Sequence, residues 1–402
     1  MQGIRKFLDK QKANFQKGGK YERFYYAFEA IDTFLFTPNE TTKPKGVQIR
    51  DAIDLKRLMM TVVIALIPPF LFGMYNVGHQ HFLAIGQSTE FWDMFGDKLW
   101  VGLKQVIPIV FVSYAVGLGI EFLFSMVRRH PVNEGFLVTG LLIPLVLPVT
   151  IPLWQVALAT AFAVVIGKEG FGGTGMNILN VALVARAFLY FAYPSEISGE
   201  IWTYYGEGTP VDGYSGATPL AMAAEAAMTP GGSGIVETWL SSWWGELYGF
   251  KNMFLGAIPG SIGETSTLAI LIGAALLIIT GVGSWKIMLS TTLGCLFMGY
   301  LFNAIGTNEY MLLPAHYHLV IGGFAFGMVY MATDPVTAAQ TETGKWIYGF
   351  FIGILTVLIR VVNPAYPEGI MLAILLMNVF APLIDHYVVE ANKKRRMKRA
   401  TV

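Results

Sequence analysis

From residue 58 onward, apolar stretches long enough to cross a bilayer recur along the chain, at 58–75, 102–126, 134–150, 151–167, 177–193, 266–284, 287–305, 316–332, 346–362 and 369–388. A bilayer core calls for about 20 apolar residues per helix, and a helix satisfies its own backbone there. The pattern predicts an all-α polytopic membrane protein of about ten transmembrane helices. Several stretches are short and carry Gly or Pro. Such interruptions are tolerated where neighbouring helices or a cavity satisfy the freed backbone groups, and paired ones often mark transport sites. The more polar segment 195–265 separates the stretches into two groups of five, compatible with two inverted five-helix halves, although the letters show no strong repeat. The expected organisation is an N-terminal arm (1–56), a first bundle half (57–194), an external segment (195–265), a second half (266–390) and a basic tail (391–402).

Composition agrees with this picture: 54% hydrophobic against 14% charged residues is too apolar for a soluble surface to keep the chain dispersed. A net charge of +1 gives no general attraction to nucleic acid. The sign of charge along the chain is more informative, because Lys and Arg collect on the cytoplasmic side of a membrane. Both ends are basic, through Arg5, Lys6, Lys10 and their neighbours and through the closing KKRRMKR, and the first residues lack the uninterrupted apolar core of a signal peptide. With both termini cytoplasmic, ten spans put Arg128, Arg129, Lys168, Lys286 and Lys345 in cytoplasmic connections. Segment 195–265 then falls on the opposite side, with eight acids from Glu196 to Glu264 and Lys251 as its one base. Lys98 and Arg360 are exceptions on the outer side. The basic arm leads into Phe24, Tyr25, Tyr26 and Phe28; a helix on the membrane surface, a docking arm for a partner subunit and a solvated tail all fit it. Gly, Trp and Tyr in 195–265, with GGSG at 231–234, indicate an ordered external excursion.

Candidate chemistry concentrates in a few strings. In Asp212-Gly-Tyr-Ser215-Gly216-Ala217-Thr218-Pro219, a hydroxyl stands between small residues on an exposed segment, accessible to a modifying enzyme, and Asp212 could help orient a phosphate-bound metal during transfer. The same letters also read as a Gly-rich turn opening a helix at Pro219. In FGGTG at 171–175, Gly172, Gly173 and Gly175 would let backbone approach a planar ring, while Asn177 and Asn180 offer amides to its polar edges. Close helix packing explains such glycines equally well, and no strand precedes them to make a dinucleotide fingerprint. Arg186, and Arg360 with Glu368, sit near span ends, where snorkelling or ion pairing is usual. His316 and His318 read as an interfacial cluster, since no further ligand stands near them for a metal. Cys295 is the single cysteine, so the chain makes no internal disulfide and cannot alone complete a four-cysteine iron–sulfur site; it reads as a core residue.

DGYSGAT resembles the flavinylation motif Asp-x-x-Ser/Thr-x-Ala-Thr of the membrane subunits of ion-pumping flavin oxidoreductases. Similarity extends over nearly the whole chain, through Lys168-Glu-Gly-Phe-Gly-Gly-Thr-Gly175, Ala185-Arg-Ala-Phe188, Ile258-Pro-Gly-Ser-Ile-Gly-Glu264, Gly322-Gly-Phe-Ala-Phe-Gly-Met328, Met331-Ala-Thr-Asp-Pro335 and Arg360-Val-Val-Asn-Pro-Ala-Tyr-Pro-Glu-Gly369. Within that family it is closest to the B subunits of sodium-translocating NADH:quinone oxidoreductases. The resemblance implies FMN esterified through its phosphate to Thr218 by a separate flavin transferase, with Asp212, Ser215, Gly216 and Ala217 as the motif around it. It implies also a non-covalent riboflavin, a share in a quinone site, five other subunits, and electron transfer coupled to sodium export across a bacterial inner membrane. Glu29, Asp334 and Asp385 resemble acidic positions for which the family implies roles in sodium uptake, and a carboxylate near hydrocarbon is costly unless paired or solvated. For each of them a salt bridge or a cap is the alternative, and Asp334 before Pro335 could simply start a turn. Family members carry the flavin on the periplasmic side, where charge puts Thr218. One departure is Asn180-Val-Ala-Leu183, where the family has Asn-Pro-Ala-Leu, which leaves the geometry near Asn180 open. Two rivals remain: the D subunit of the related Rnf complex, which uses ferredoxin and NAD rather than a quinone, and a non-redox secondary transporter. The long arm at 1–56 favours the quinone-reducing complex over the first.

Overall fold

The computed structural model describes residues 2–16, 18–35, 55–87, 90–130, 132, 135–198, 201–206, 208–212, 214–229, 234, 236–237, 248–363 and 368–400. Much of the expected arm (36–54), most of the GGSG turn, and Glu200, Glu207 and Glu246 lie outside them. Among the described residues the regular structure is entirely helical. Five helices are long and apolar enough to cross a membrane: Arg57–Ala84, Phe95–Arg128, Trp285–Ile305, Glu342–Val362 and Ile370–Arg399. Even the 21-residue ones reach about 32 Å, matching the hydrocarbon thickness. Phe111, Phe297, Phe351 and Val379 are exposed on their outward faces, as lipid rather than water requires. The protein is a polytopic all-α membrane protein.

Following the chain through these helices sorts its charges. Arg128, Lys168, Lys286, Lys345 and the basic tail lie at one end of the bundle. The external segment docks on the other: Val211 N donates to Ala84 O at 2.8 Å, Tyr214 Oη donates to Gln80 Oε1 at 3.1 Å, and His81 Nδ1 lies 2.8 Å from Tyr204 O. Burial pushes the Tyr214 phenol up to about 12, so it remains a donor at neutral pH. The two basic exceptions are consumed inside the protein rather than displayed on its outer side. Lys98 Nζ donates to Glu90 O and Phe91 O at 2.5 and 3.2 Å, and Arg360 donates to three carbonyls described below.

The interruptions foreseen in the shorter spans are where the fold closes. Phe136–Leu145 and Leu153–Gly167 replace what would be two full spans, and Val181–Ala192 and Thr267–Ile279 have 12 and 13 residues. The 315–331 segment combines short turns with a π-helical turn over Gly327–Met331. Pro144 and Pro148 remove donors around the first break. Its freed carbonyls are met by the second irregular stretch: Gly263 N donates to Leu145 O at 2.7 Å and Ile262 N to Leu147 O at 3.3 Å. Two breaks thus satisfy each other away from water.

Small residues bring two of the long helices into backbone contact. A Cβ at Gly294 would lie 2.1 Å from Phe350 O, and one at Gly353 would lie 2.1 Å from Thr291 O. Gly294→Val should therefore force Trp285–Ile305 away from Glu342–Val362 and destabilise the protein by about 1–3 kcal/mol or more. Thermal unfolding in detergent checks this; an unchanged midpoint would refute the close contact.

Part of the N-terminal arm is folded. Helices Gln2–Phe15 and Tyr25–Leu35 meet through Arg5–Asp32 (3.1 Å) and stacked Phe15 and Phe28 (4.6 Å between centroids), and the second helix packs on Phe95–Arg128. At these residues the arm is a docked helical pair rather than a solvated tail.

Candidate functional site

Thr218 caps a ten-residue helix, Pro219–Met228, its hydroxyl accepting from Ala221 N at 3.2 Å. Proline at the first helical position suits this, since its missing donor would have been unpaired. The preceding turn is tied by Ala217 N to Ser215 Oγ at 3.3 Å and by Tyr248 Oη to Ala217 O at 2.7 Å. Gly216 and Ala217 are buried, Thr218 is half-buried, and Asp212 is exposed on the surface. The helix is seated by Leu220, which occupies the space a Cβ at Gly322 would fill, 2.3 Å from the Leu220 side chain. Gly322 has φ +63°, so glycine is needed twice over there. Thr218 opens on a small cleft walled by Trp202, Ile258, Gly260, Ser261, Glu264 and Glu368.

Beneath that cleft lies a charge cluster foreseen only in pieces. Arg186 Nη1 bonds Val146 O in the first break and pairs with Glu264 Oε2 at 3.1 Å, and its Nη2 pairs with Glu368 Oε1 at 2.6 Å. Sequence proximity suggested Arg360 as the partner of Glu368. Instead Arg360 is fully buried and takes the backbone carbonyls of His318, Ile321 and Glu368 at 2.8, 2.9 and 3.2 Å. It therefore clamps the 315–321 segment and does not snorkel.

A second and larger cleft lies at the basic end. Its walls include Lys168, Thr174, Asn177, Asn180, Tyr330 and Asp334. Asn180 and Asp334, singled out for different reasons, meet here: Asn180 Nδ2 donates to Asp334 Oδ2 at 3.2 Å. Asn180 Oδ1 meanwhile caps Val181–Ala192 by accepting from Ala182 N and Leu183 N at 3.1 and 3.3 Å. The valine in place of proline at 181 leaves this cap intact. Asp334 also accepts from Val336 N (3.0 Å) and Thr337 Oγ1 (3.1 Å), the turn expected before Pro335. Gly172, Gly173 and Gly175 all have positive φ and turn the chain beside this wall; the residues facing the cleft are Thr174, Asn177 and Asn180. From Asn180 to Arg186 is six residues, about 9 Å of helix, so one short helix links the two clefts.

Asp385 stands outside both clefts. It accepts from Gln340 N, Thr341 N and Thr341 Oγ1 at 2.7, 2.9 and 2.5 Å, holding the far end of the loop that Asp334 begins. Glu29 lies half-buried on Tyr25–Leu35. His316 packs on Phe250 (5.4 Å) while His318 stacks on Tyr310 (5.7 Å), so the two imidazoles serve different neighbours. Sequence reasoning missed the buried pair of Lys168 with Glu121, extended through Glu169 to Arg128 at 3.1 Å. An acid inside the 102–126 span, Glu121, was the available signal.

Comparison with known proteins gives this geometry a context. A family model described as the NQR2, RnfD, RnfE family matches residues 42–394. The B subunit of the Na(+)-translocating NADH-quinone reductase of Chromohalobacter salexigens is 52% identical, over 99% of this chain and 97% of that one. Proteins of the same name from Pseudomonas paraeruginosa and Stutzerimonas stutzeri are 49% and 50% identical, over 99% of both chains in each case. With most of its length matched by the family model and full-length relatives at about half identity, the chain belongs to the NQR2, RnfD, RnfE family.

Proposed function

We propose that this chain is the B subunit of a sodium-translocating NADH:quinone oxidoreductase, carries FMN as a phosphoester on Thr218, and works with five other subunits to couple electron transfer toward quinone to sodium export. The names of its full-length relatives support the complex. One observation carries the flavin: a threonine hydroxyl at a helix N-terminus, half-exposed, opening on a cleft with an aromatic wall.

The residues fit such a group. A phosphate is favoured at a helix N-terminus, where first-turn amides point outward and the helix dipole is positive. Trp202 offers a face for a planar ring, and Gly260 and Gly322 keep backbone low around it. When bound, the flavin would supply one-electron chemistry, and the chain would set its potential through burial and hydrogen bonds. At the basic end, Asn177 and Asn180 would offer amides to a non-covalent riboflavin, and Asp334 a carboxylate to sodium. We assign the basic end to the cytoplasm of a bacterial inner membrane, with both termini, and the Thr218 end to the periplasm; the segregation of Lys and Arg supports this.

Mass spectrometry of the proteolytic peptide containing Thr218, from native membranes and from a Thr218→Val variant, tests the assignment. An FMN-sized increment is expected only in the native peptide. An unmodified native peptide in cells with active flavin transferase would overturn it and leave a non-redox transporter as the reading to pursue.

A further inference from the structure

Three ionisable side chains are buried together beneath Thr218. Those of Arg186 and Glu264 are each 3% exposed and that of Glu368 15%, so water screens them little. Arg186 is a single positive charge against two carboxylates, so the trio carries one negative charge in excess. The oxygens that Arg186 does not reach, Glu264 Oε1 and Glu368 Oε2, are buried and accept no hydrogen bond among the described residues. Ser261 donates to the Glu264 oxygen already held by Arg186 and leaves the other bare. The carboxylate fits only because residue 323 is glycine, since a Cβ there would lie 2.5 Å from Glu264 Oε1.

Among the described residues, no neighbouring group bonds the two bare oxygens. Arg360 spends its donors on the carbonyls of His318, Ile321 and Glu368 and lies over the Phe324 ring. Tyr190, on the same helix as Arg186, faces Glu368 with a neutral phenol. A buried carboxylate oxygen with no donor is costly, and either a proton or a metal cation removes that cost.

We propose that Glu264 and Glu368 form a buried site for one exchangeable monovalent cation, a proton or a sodium ion, with Arg186 as the fixed counter-charge that keeps the second carboxylate ionised. The site belongs to a different cleft from Asp334, with about 9 Å of helix between Asn180 and Arg186, so it is a second cation station rather than part of the first. It shares a cleft with Thr218. One electron arriving in that cleft from NADH adds one negative charge and one cation entering cancels it; when the electron leaves toward quinone the cation is released. This coupling rests on the proposed flavin, whereas the cation site does not.

Infrared difference spectroscopy on the purified complex tests the site without reference to flavin, because a protonated carboxyl and a carboxylate absorb at different frequencies. A carboxylic-acid band is expected that disappears as pH rises without sodium, or as sodium rises at fixed pH, and that is lost in Glu264→Gln and altered in Glu368→Gln. Response to pH alone identifies the proton; response to sodium identifies sodium as a competitor for the same oxygens. No responsive band, or the same response in both variants, overturns the proposal. Should the glutamine variants fail to assemble, Glu264→Asp keeps the charge and shortens its reach, and the band's midpoint should move about tenfold in cation concentration; an unmoved band and midpoint overturns it equally. For the coupling, the midpoint potential of the Thr218 flavin should rise with the same cation by up to about 59 mV per tenfold for a one-electron step. A Thr218 peptide without added mass removes the flavin reading and leaves the infrared result standing. A flavin whose potential ignores the cation overturns the coupling.

Discussion

Arg186→Met should destabilise the protein by about 3–5 kcal/mol, because removing one partner of a buried ion pair strands the other. Here it strands two: Glu264 and Glu368 would lose the guanidinium that bridges them, and the Val146 carbonyl in the first helix break would lose its side-chain donor. The methionine matches the volume but satisfies none of the three. Loss of monodisperse protein after detergent extraction, and a lowered unfolding midpoint where some survives, are the expected measurements. Combining Arg186→Met with Glu264→Gln should recover part of the loss, since one stranded charge is then removed, and the double-mutant cycle gives the coupling. Arg186→Lys should not rescue, because an ammonium cannot present the planar fork that reaches a carbonyl and two carboxylates at once. A nearly neutral Arg186→Met would mean that the cluster does not hold the crossing of the two breaks together.

Hydrocarbon makes some features of this fold easy to read from letters. It demands apolar helices of a minimum length, so the span positions are visible, and it leaves basic residues on one side, so Arg128, Lys168, Lys286 and Lys345 revealed which ends belong together. The breaks were visible too, through Gly and Pro in stretches too short to cross. Their partners were not, because a break at 145–148 is satisfied by backbone more than a hundred residues away, at 262–263, and backbone carries no sequence signature. The same limit explains Glu368, whose nearest basic residue in the sequence is Arg360 but whose carboxylate pairs with Arg186. Glycines carry a further ambiguity: at 172, 173 and 175 they serve positive φ, at 323 one clears room for Glu264, and at 322 one does both, clearing room for Leu220. Only the fold tells these uses apart.

Asp334→Asn and Asp385→Asn should separate two acids that the sequence treats alike. Asp334 lines the larger cleft beside Asn180, so on the proposed function its charge is available to a cation there. Asparagine would keep the turn through Val336 N and remove that charge. The sodium concentration for half-maximal quinone reduction should rise on the order of tenfold, corresponding to about 1.4 kcal/mol, with covalent flavin content unchanged. Asp385 faces the loop at Gln340 and Thr341 and lines neither cleft, and its three acceptor contacts hold the start of Glu342–Val362. Asp385→Asn should also weaken sodium dependence more than flavin content, but through displacement of the loop that carries Asp334, and so by less. Equal shifts in the two variants would place both carboxylates on the ion path. A shift in Asp385→Asn alone would reverse the assignment, and the loop from 334 to 341 would then be the element that opens toward sodium.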